Sequence, residues 1–204
     1  GRGAGEDVRM SSRDAHGPGL RTEALLQGSR LRLTALGEDD LETIARWQEN
    51  GTYLRLFDAL PAYPKSKASL TEWLEERRKA QNAFLFAVRL HDGTLIGYVE
   101  LEGILWAHSV GWASIALGDP AYWGHGHGSE AMQLLLRFAF NELNLHRVQL
   151  TVFEYNERAI GLYEKLGFQR DGTLREFLQR DGKRHDMYLY GLLREEWASR
   201  HQEG

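Results

Sequence analysis

Residues 111–131 read GWASIALGDPAYWGHGHGSEA, and the fold follows from how this stretch divides. An apolar run, Ile115-Ala116-Leu117, ends at Gly118-Asp119-Pro120. Three glycines at alternate positions follow, Gly124, Gly126 and Gly128, and then Ser129 and Glu130. From Met132 the apolar residues recur at helical spacing. The order is strand, glycine loop, helix. The first N–H groups of a helix have no partner within it. The helix dipole adds partial positive charge there, which favours a phosphate. Glycine accepts φ > 0 and lets a ligand approach the backbone. Residues 124–129 therefore read as a phosphate cradle, with a purely structural glycine turn as the plainer alternative.

Two well-known cradles do not fit. A nucleotide-triphosphate loop ends in Gly-Lys-Ser/Thr, because the lysine reaches the terminal phosphates. Here Gly128 is followed by Ser129 with no lysine. A dinucleotide loop needs a third glycine and an acid about 20 residues on. Ser129 stands at that third position, and residues 144–152 hold no carboxylate.

Downstream, residues 146–168 read HRVQLTVFEYNERAIGLYEKLGF. Val148, Leu150 and Val152 alternate as a strand that ends at Asn156. A short helix follows, with Ala159, Leu162, Tyr163 and Leu166 at helical spacing, and it stops at Gly167. Asn156 is well suited to cap it. The two stretches together resemble the GNAT acyltransferases. Their loop, Q/R-x-x-G-x-G/A, is matched at both glycine positions by Trp123-Gly124-His125-Gly126-His127-Gly128, with Trp123 in place of Gln or Arg. Their second pattern, N-x-x-A then Y-x-K-x-G-F, is matched by Asn156, Ala159, Tyr163, Lys165, Gly167 and Phe168. The resemblance spans about residues 28–197. It is closest in kind to the ribosomal-protein N-terminal acetyltransferases and spermidine N-acetyltransferase, to which the tail LREFLQRDGKRHDMYLYGLLREEW is also similar.

That resemblance implies acetyl-CoA as co-substrate and direct attack by an amine. The cofactor pyrophosphate would lie on residues 124–129, with Trp123, His125 and His127 beside it. The strand before the loop would splay from the next one, and backbone near Ile115 and Leu117 would pair with the pantetheine arm. Asn156 would hydrogen-bond the cofactor. Tyr163 would be the general acid, since a phenol stays protonated at neutral pH; its plainer reading is a core aromatic. Many relatives carry a glutamate shortly before the Gly-Asp, where this chain has Gly111, Trp112 and Ala113. The candidate bases are therefore Glu100 and Glu102, which share a strand face, and His108. An α-amine of pKa near 8 is also partly neutral without a base. A metal on His125 and His127 is not expected, because glycine loops hold ligands poorly and no third ligand is placed.

The expected acceptor is the N-terminal amine of a protein, with a polyamine or other small amine as alternative. A non-catalytic acyl-CoA-binding module is the rival from another class, kept open by the missing glutamate. The 204 residues suffice for one domain. With no cysteine there are no disulfides and no thiol nucleophile. Net charge is −4 without a basic stripe, which argues against nucleic acid. No apolar run reaches membrane length, and a cytoplasmic setting is expected.

Along the chain, residues 1–27 read as a flexible arm, with Met10 the native start and Gly1–Arg9 added by expression. Residues 28–204 are the acetyltransferase domain. A strand at 30–36 leads to a helix from 38 that Asn50-Gly51 ends. Residues 52–65 are a connecting loop forming a wall of the acceptor site. Ser66 or Ser69 caps a helix carrying Leu70, Trp73, Leu74 and Arg77. Strands follow at 84–90, 94–101 and 109–117, a helix at 129–143, the strand–helix pair at 146–154 and 156–166, and a hairpin of 172–180 and 184–192. A short helix follows Leu193. The expected fold is α/β (α+β), one domain with a mixed, splayed sheet. The resemblance implies a homodimer, joined through the hairpin and exposed aromatics such as Trp197.

Overall fold

The computed structural model describes residues 25–201. Leu31 and Leu33 alternate into the core and make Leu31–Thr34 a strand, β1. It pairs antiparallel with β2 (Phe84–Leu90), β2 with β3 (Leu95–Leu105), and β3 with β4 (Val110–Leu117). β5 (Arg147–Phe153) continues the sheet in parallel with β4, and the hairpin β6 (Gln169–Arg180) and β7 (Lys183–Leu193) completes the order β1-β2-β3-β4-β5-β7-β6. The expected mixed sheet is present.

Alternation along the strands feeds two cores. Val88, Val99, Leu101 and Ala113 meet α4 (His127–Arg137), α5 (Glu157–Leu166) and α6 (Arg194–His201) on one face. Ala87, Tyr98 and Ala116 meet α1 (Leu41–Trp47), α2 (Gly51–Phe57) and α3 (Lys67–Lys79) on the other. Asp40, buried before α1, accepts from Gly37 N at 2.9 Å and pairs with Arg89 of β2 at 2.7 Å.

The structure corrects several boundaries. Residues 51–57 are a helix, not a loop, because the Asn50 side chain accepts from Tyr53 N at 3.1 Å and starts a new helix where the sequence suggested only an end. β3 runs through a break in register around Gly103, which has φ +56, and so extends to Leu105. α4 begins at His127, two residues before Ser129, and its last turn widens to π form over Phe138–Glu142. Residues 25–27, read as part of the arm, fold back on β1: Leu33 N donates to Leu26 O at 2.8 Å. The rest of the arm, 1–24, lies outside the described residues. Trp197 is not an exposed aromatic. It is buried against Phe140 at 5.2 Å, and the exposed apolar residues of the hairpin are Leu174 and Phe177.

Candidate active site

β4 and β5 pair only at Val110↔Arg147, Gly111↔Val148 and Trp112↔Gln149. Past Trp112 they part, and the edge of β4 from Ala113 to Leu117 faces no strand on that side. Two cavities open in the splay. One, of about 330 Å³, runs along the glycine loop; the other, of about 650 Å³, reaches toward α3. Both are lined by Leu56, Phe57, Ile115, Asn156 and Ala159, where they meet.

The smaller cavity gathers Ile115, Leu117, Trp123, Gly124, Gly126, Gly128, Ser129 and Asn156. Gly124 has φ +74 and Gly126 φ +83, conformations that suit glycine. Gly126 stands in the left-handed region just before α4, so the first N–H groups of that helix have no intrahelical acceptor. A Cβ on Gly128 would lie 2.9 Å from Leu162 Cδ1, so its absence lets α4 come close to α5. The Trp123 indole N–H donates to Leu117 O at 2.8 Å, which engages a carbonyl expected to face the pantetheine arm. The side chains of His125 and His127 do not line this cavity. His125 O accepts from Arg30 at 2.7 Å, and the His127 ring packs edge-on to Tyr122 at 5.6 Å. Among the described residues no group of three or more His, Cys, Asp or Glu could hold a metal ion. Glu130, in the first turn of α4, accepts from Ser29 Oγ at 2.5 Å and Arg30 N at 3.2 Å, and so ties the loop to the start of β1.

One residue of this cavity, Arg158, escapes the motif reading, and Lys165 is matched in it without a role. Arg158 and Lys165 project from α5 into it, and no carboxylate lines it. Open helix N–H groups, glycines that leave room at the backbone and two uncompensated cations together fit a phosphate-bearing cofactor.

The larger cavity brings Tyr163, Glu100 and Glu102 together, though they come from distant elements. Glu100 is only 4% exposed. Arg77 of α3 reaches both acids: its Nε is 2.7 Å from Glu100 Oε1 and its Nη2 3.1 Å from Glu102 Oε2. The contact to Glu102 is an aligned hydrogen bond, whereas that to Glu100 is an ion pair without hydrogen-bond alignment. Burial first, and then the charge of Glu102, push the Glu100 carboxyl up to about 7 against the pull of Arg77. Tyr163 is buried, and burial raises its phenol well above the usual range, so it is protonated at neutral pH. The Asn156 side chain accepts from Ala159 N at 3.3 Å and donates to Leu56 O at 3.4 Å, which occupies it in capping α5 and tethering α2. His108 is exposed in the β3–β4 turn and lines neither cavity.

Charge divides between the two spaces. Asp58, Glu72, Glu76, Glu100 and Glu102 line the larger one, against Lys65 and Arg77. Glu72, Trp73 and Glu76 lie on one face of α3, and Trp73 meets Tyr98 at 5.4 Å. The wall of the larger cavity that follows α2 is held from across the cleft. Tyr155 Oη donates to Arg55 O and Arg180 Nη2 to Asp58 O, each at 2.6 Å.

A model of the acetyltransferase (GNAT) domain matches residues 30–169. An uncharacterized N-acetyltransferase, YokL, derived from the SPbeta prophage of Bacillus subtilis, is 30% identical over 85% of this chain and 96% of its own length. The spermidine N(1)-acetyltransferase of Escherichia coli is 30% identical over 71% of this chain and 75% of its own. Among solved structures, the spermidine N-acetyltransferase of Vibrio cholerae in complex with CoA and spermine superposes with a TM-score of 0.77. It is 28% identical and covers 84% of this chain and 99% of its own.

Proposed function

The chain belongs to the GNAT acetyltransferase family, and on that premise we propose that it carries the acetyl group of acetyl-CoA to a primary amine of a small polycationic molecule. It is an N-acetyltransferase, which removes the reading as a binding module alone. The observation that carries the substrate class is the charge of the larger cavity, with five carboxylates against two cations. A protein N-terminus brings one ammonium of its own. A polyamine brings several, and it gains at each further acid. The names of the similar enzymes favour the same side, so the small amine stands ahead of the protein N-terminus.

Acetyl-CoA supplies an acetyl group activated as a thioester. The chain's own residues then do four things. The glycine loop and the first turn of α4 bind the phosphates. The open edge of β4 past Trp112 offers backbone donors to the carbonyl oxygen. The Glu100 carboxylate takes the proton of the incoming ammonium, directly or through water. An alkylammonium with a pKa near 10 is almost wholly charged at neutral pH, so this acceptor needs a base more than an α-amine does. Tyr163 Oη holds the proton that the departing sulfur requires. Trp73, Tyr98 and Phe57 give aromatic surface beside which an ammonium can rest.

Homo-oligomerisation is part of the same proposal, supported by Leu174 and Phe177 exposed on the outer strand β6.

The test is a competition. The protein is given acetyl-CoA with spermidine, putrescine and an N-terminal peptide in one mixture, and the acetylated products are identified by mass. Acetylated polyamine as the main product is the expected result; acetylated peptide alone would return the assignment to protein N-termini.

A further inference from the structure

We infer that Arg158 is a phosphate-binding residue of the cofactor cavity, supplied from α5 and held in place by Trp123, the opening residue of the glycine loop, whose own donor is already engaged. The inference rests on the acetyl-CoA reading and adds to it which side chain grips the cofactor.

Three observations carry it. The first is the loop. Its opening position is Trp123, whose one donor is spent on Leu117 O at 2.8 Å. An indole so engaged has nothing left to give a phosphate.

The second is the placement of Arg158. Its guanidinium centre lies 4.8 Å from the Trp123 ring, within cation–π range. Trp123 is pinned to the end of β4, so the ring is a fixed platform rather than a drifting one. Arg158 thereby reaches back from α5 to the loop, and both line the cavity with Gly124, Gly126 and Ser129.

The third is that Arg158 is in an unfavourable place for stability. It lies in the first turn of α5, just after the Asn156 cap, where the dipole prefers an acid. No carboxylate pairs with it and no protein acceptor takes its N–H groups among the described residues. A guanidinium has five donors in a planar fork that matches a phosphate. A planar cation against a helix N-terminus, steadied by an indole and facing a cavity without carboxylates, is arranged for an anionic ligand rather than for the fold.

The cofactor offers phosphate in two places, the pyrophosphate and the ribose phosphate, and the experiment separates them. Calorimetry on the full chain would compare the wild type, Arg158→Gln and Trp123→Leu with CoA, dephospho-CoA and pantetheine. Arg158→Gln should weaken CoA about tenfold or more while leaving pantetheine, which has no phosphate, unchanged. A loss that persists with dephospho-CoA assigns Arg158 to the pyrophosphate; a loss that disappears assigns it to the ribose phosphate. Trp123→Leu should weaken CoA by a smaller factor and add little in the Arg158→Gln background, since it acts through Arg158. The salt dependence of CoA binding should flatten in Arg158→Gln. A thermal melt close to the wild type would show that Arg158→Gln folds, as expected for an exposed cation without a carboxylate partner. Unchanged CoA affinity in Arg158→Gln, or an equal loss for pantetheine, would overturn the inference while leaving the acetyl-CoA reading intact. Failure of the wild type to bind CoA at all would overturn both.

Discussion

Arg77 Nε lies 2.7 Å from Glu100 Oε1 while the same guanidinium holds Glu102 at 3.1 Å, so one cation is divided between two carboxylates. The pair keeps a net negative charge, and the more buried acid, Glu100, titrates near 7. Activity should follow the deprotonated form. With an alkylamine as acceptor, kcat should rise with pH through about 7. Glu100→Gln should lower kcat by about 10²–10⁴ and remove that limb of the profile. Glu102→Gln removes a like charge and leaves Arg77 to Glu100 alone, so the limb should move to lower pH. A pH–rate profile of the three proteins reads all of this.

The same shift bears on stability, with a definite sign. The folded-state pKa of Glu100 is raised, from 4.5 to about 7, so the folded protein holds the proton more tightly than the unfolded chain does. This contribution is fully present below about 4.5 and is lost as pH rises through about 7. Thermal melts should therefore show Glu100→Gln gaining on the wild type between pH 5 and 8. A constant difference across that range would mean that Glu100 titrates normally.

Tyr163→Phe removes one oxygen and keeps the ring against Phe168, whose centroid is 5.8 Å away. The fold should be retained, since the phenol is protonated and the packing is conserved. We expect kcat to fall by about 10²–10³ with CoA affinity nearly unchanged. Stopped-flow or steady-state rates beside calorimetry distinguish this outcome from a structural role, which would move stability and not kcat.

Gly118→Ala tests the junction between the sheet and α1. A Cβ at Gly118 would lie 1.7 Å from Trp47 Cδ2, inside a buried ring. Relief requires Trp47 to move, at a cost of about 1–3 kcal/mol by the usual scale of overpacking. The melting temperature should fall by several degrees. Because Gly118 also ends β4 above the splay, CoA affinity should fall with it.

Much of this was legible in the sequence, and the misses have physical causes. The glycine loop, Asn156 and Tyr163 sit in short, ordered motifs, each within one strand–helix unit, and the resemblance to the family's patterns singled them out where spacing alone leaves a structural turn, a cap and a core aromatic. Helix α2 was missed because Asn50-Gly51 serves equally as a stop and as a start: Asn is a strong cap, and only the Tyr53 N–H contact decides. Arg77 was read as part of an apolar helix face, and its tie to Glu100 is a contact between residues far apart in the chain that no local pattern encodes. Glu72 and Glu76 did carry a signal, two acids one turn apart flanking Trp73, which reads as a solvated face until the sheet is placed opposite. His125 and His127 drew attention by composition, whereas neither lines the cavity: His125 lies before α4, and His127, the first residue of that helix, packs against Tyr122.

The most direct test of the central claim is kcat/KM for a polyamine against a monoamine of equal length at saturating acetyl-CoA, in the wild type and in Glu72→Gln/Glu76→Gln. The acidic cavity predicts at least a tenfold preference for the polyamine, shrinking toward parity in the double variant as the second cation loses its partner. Equal kcat/KM for the two amines in the wild type, or turnover confined to N-terminal peptides, would contradict it.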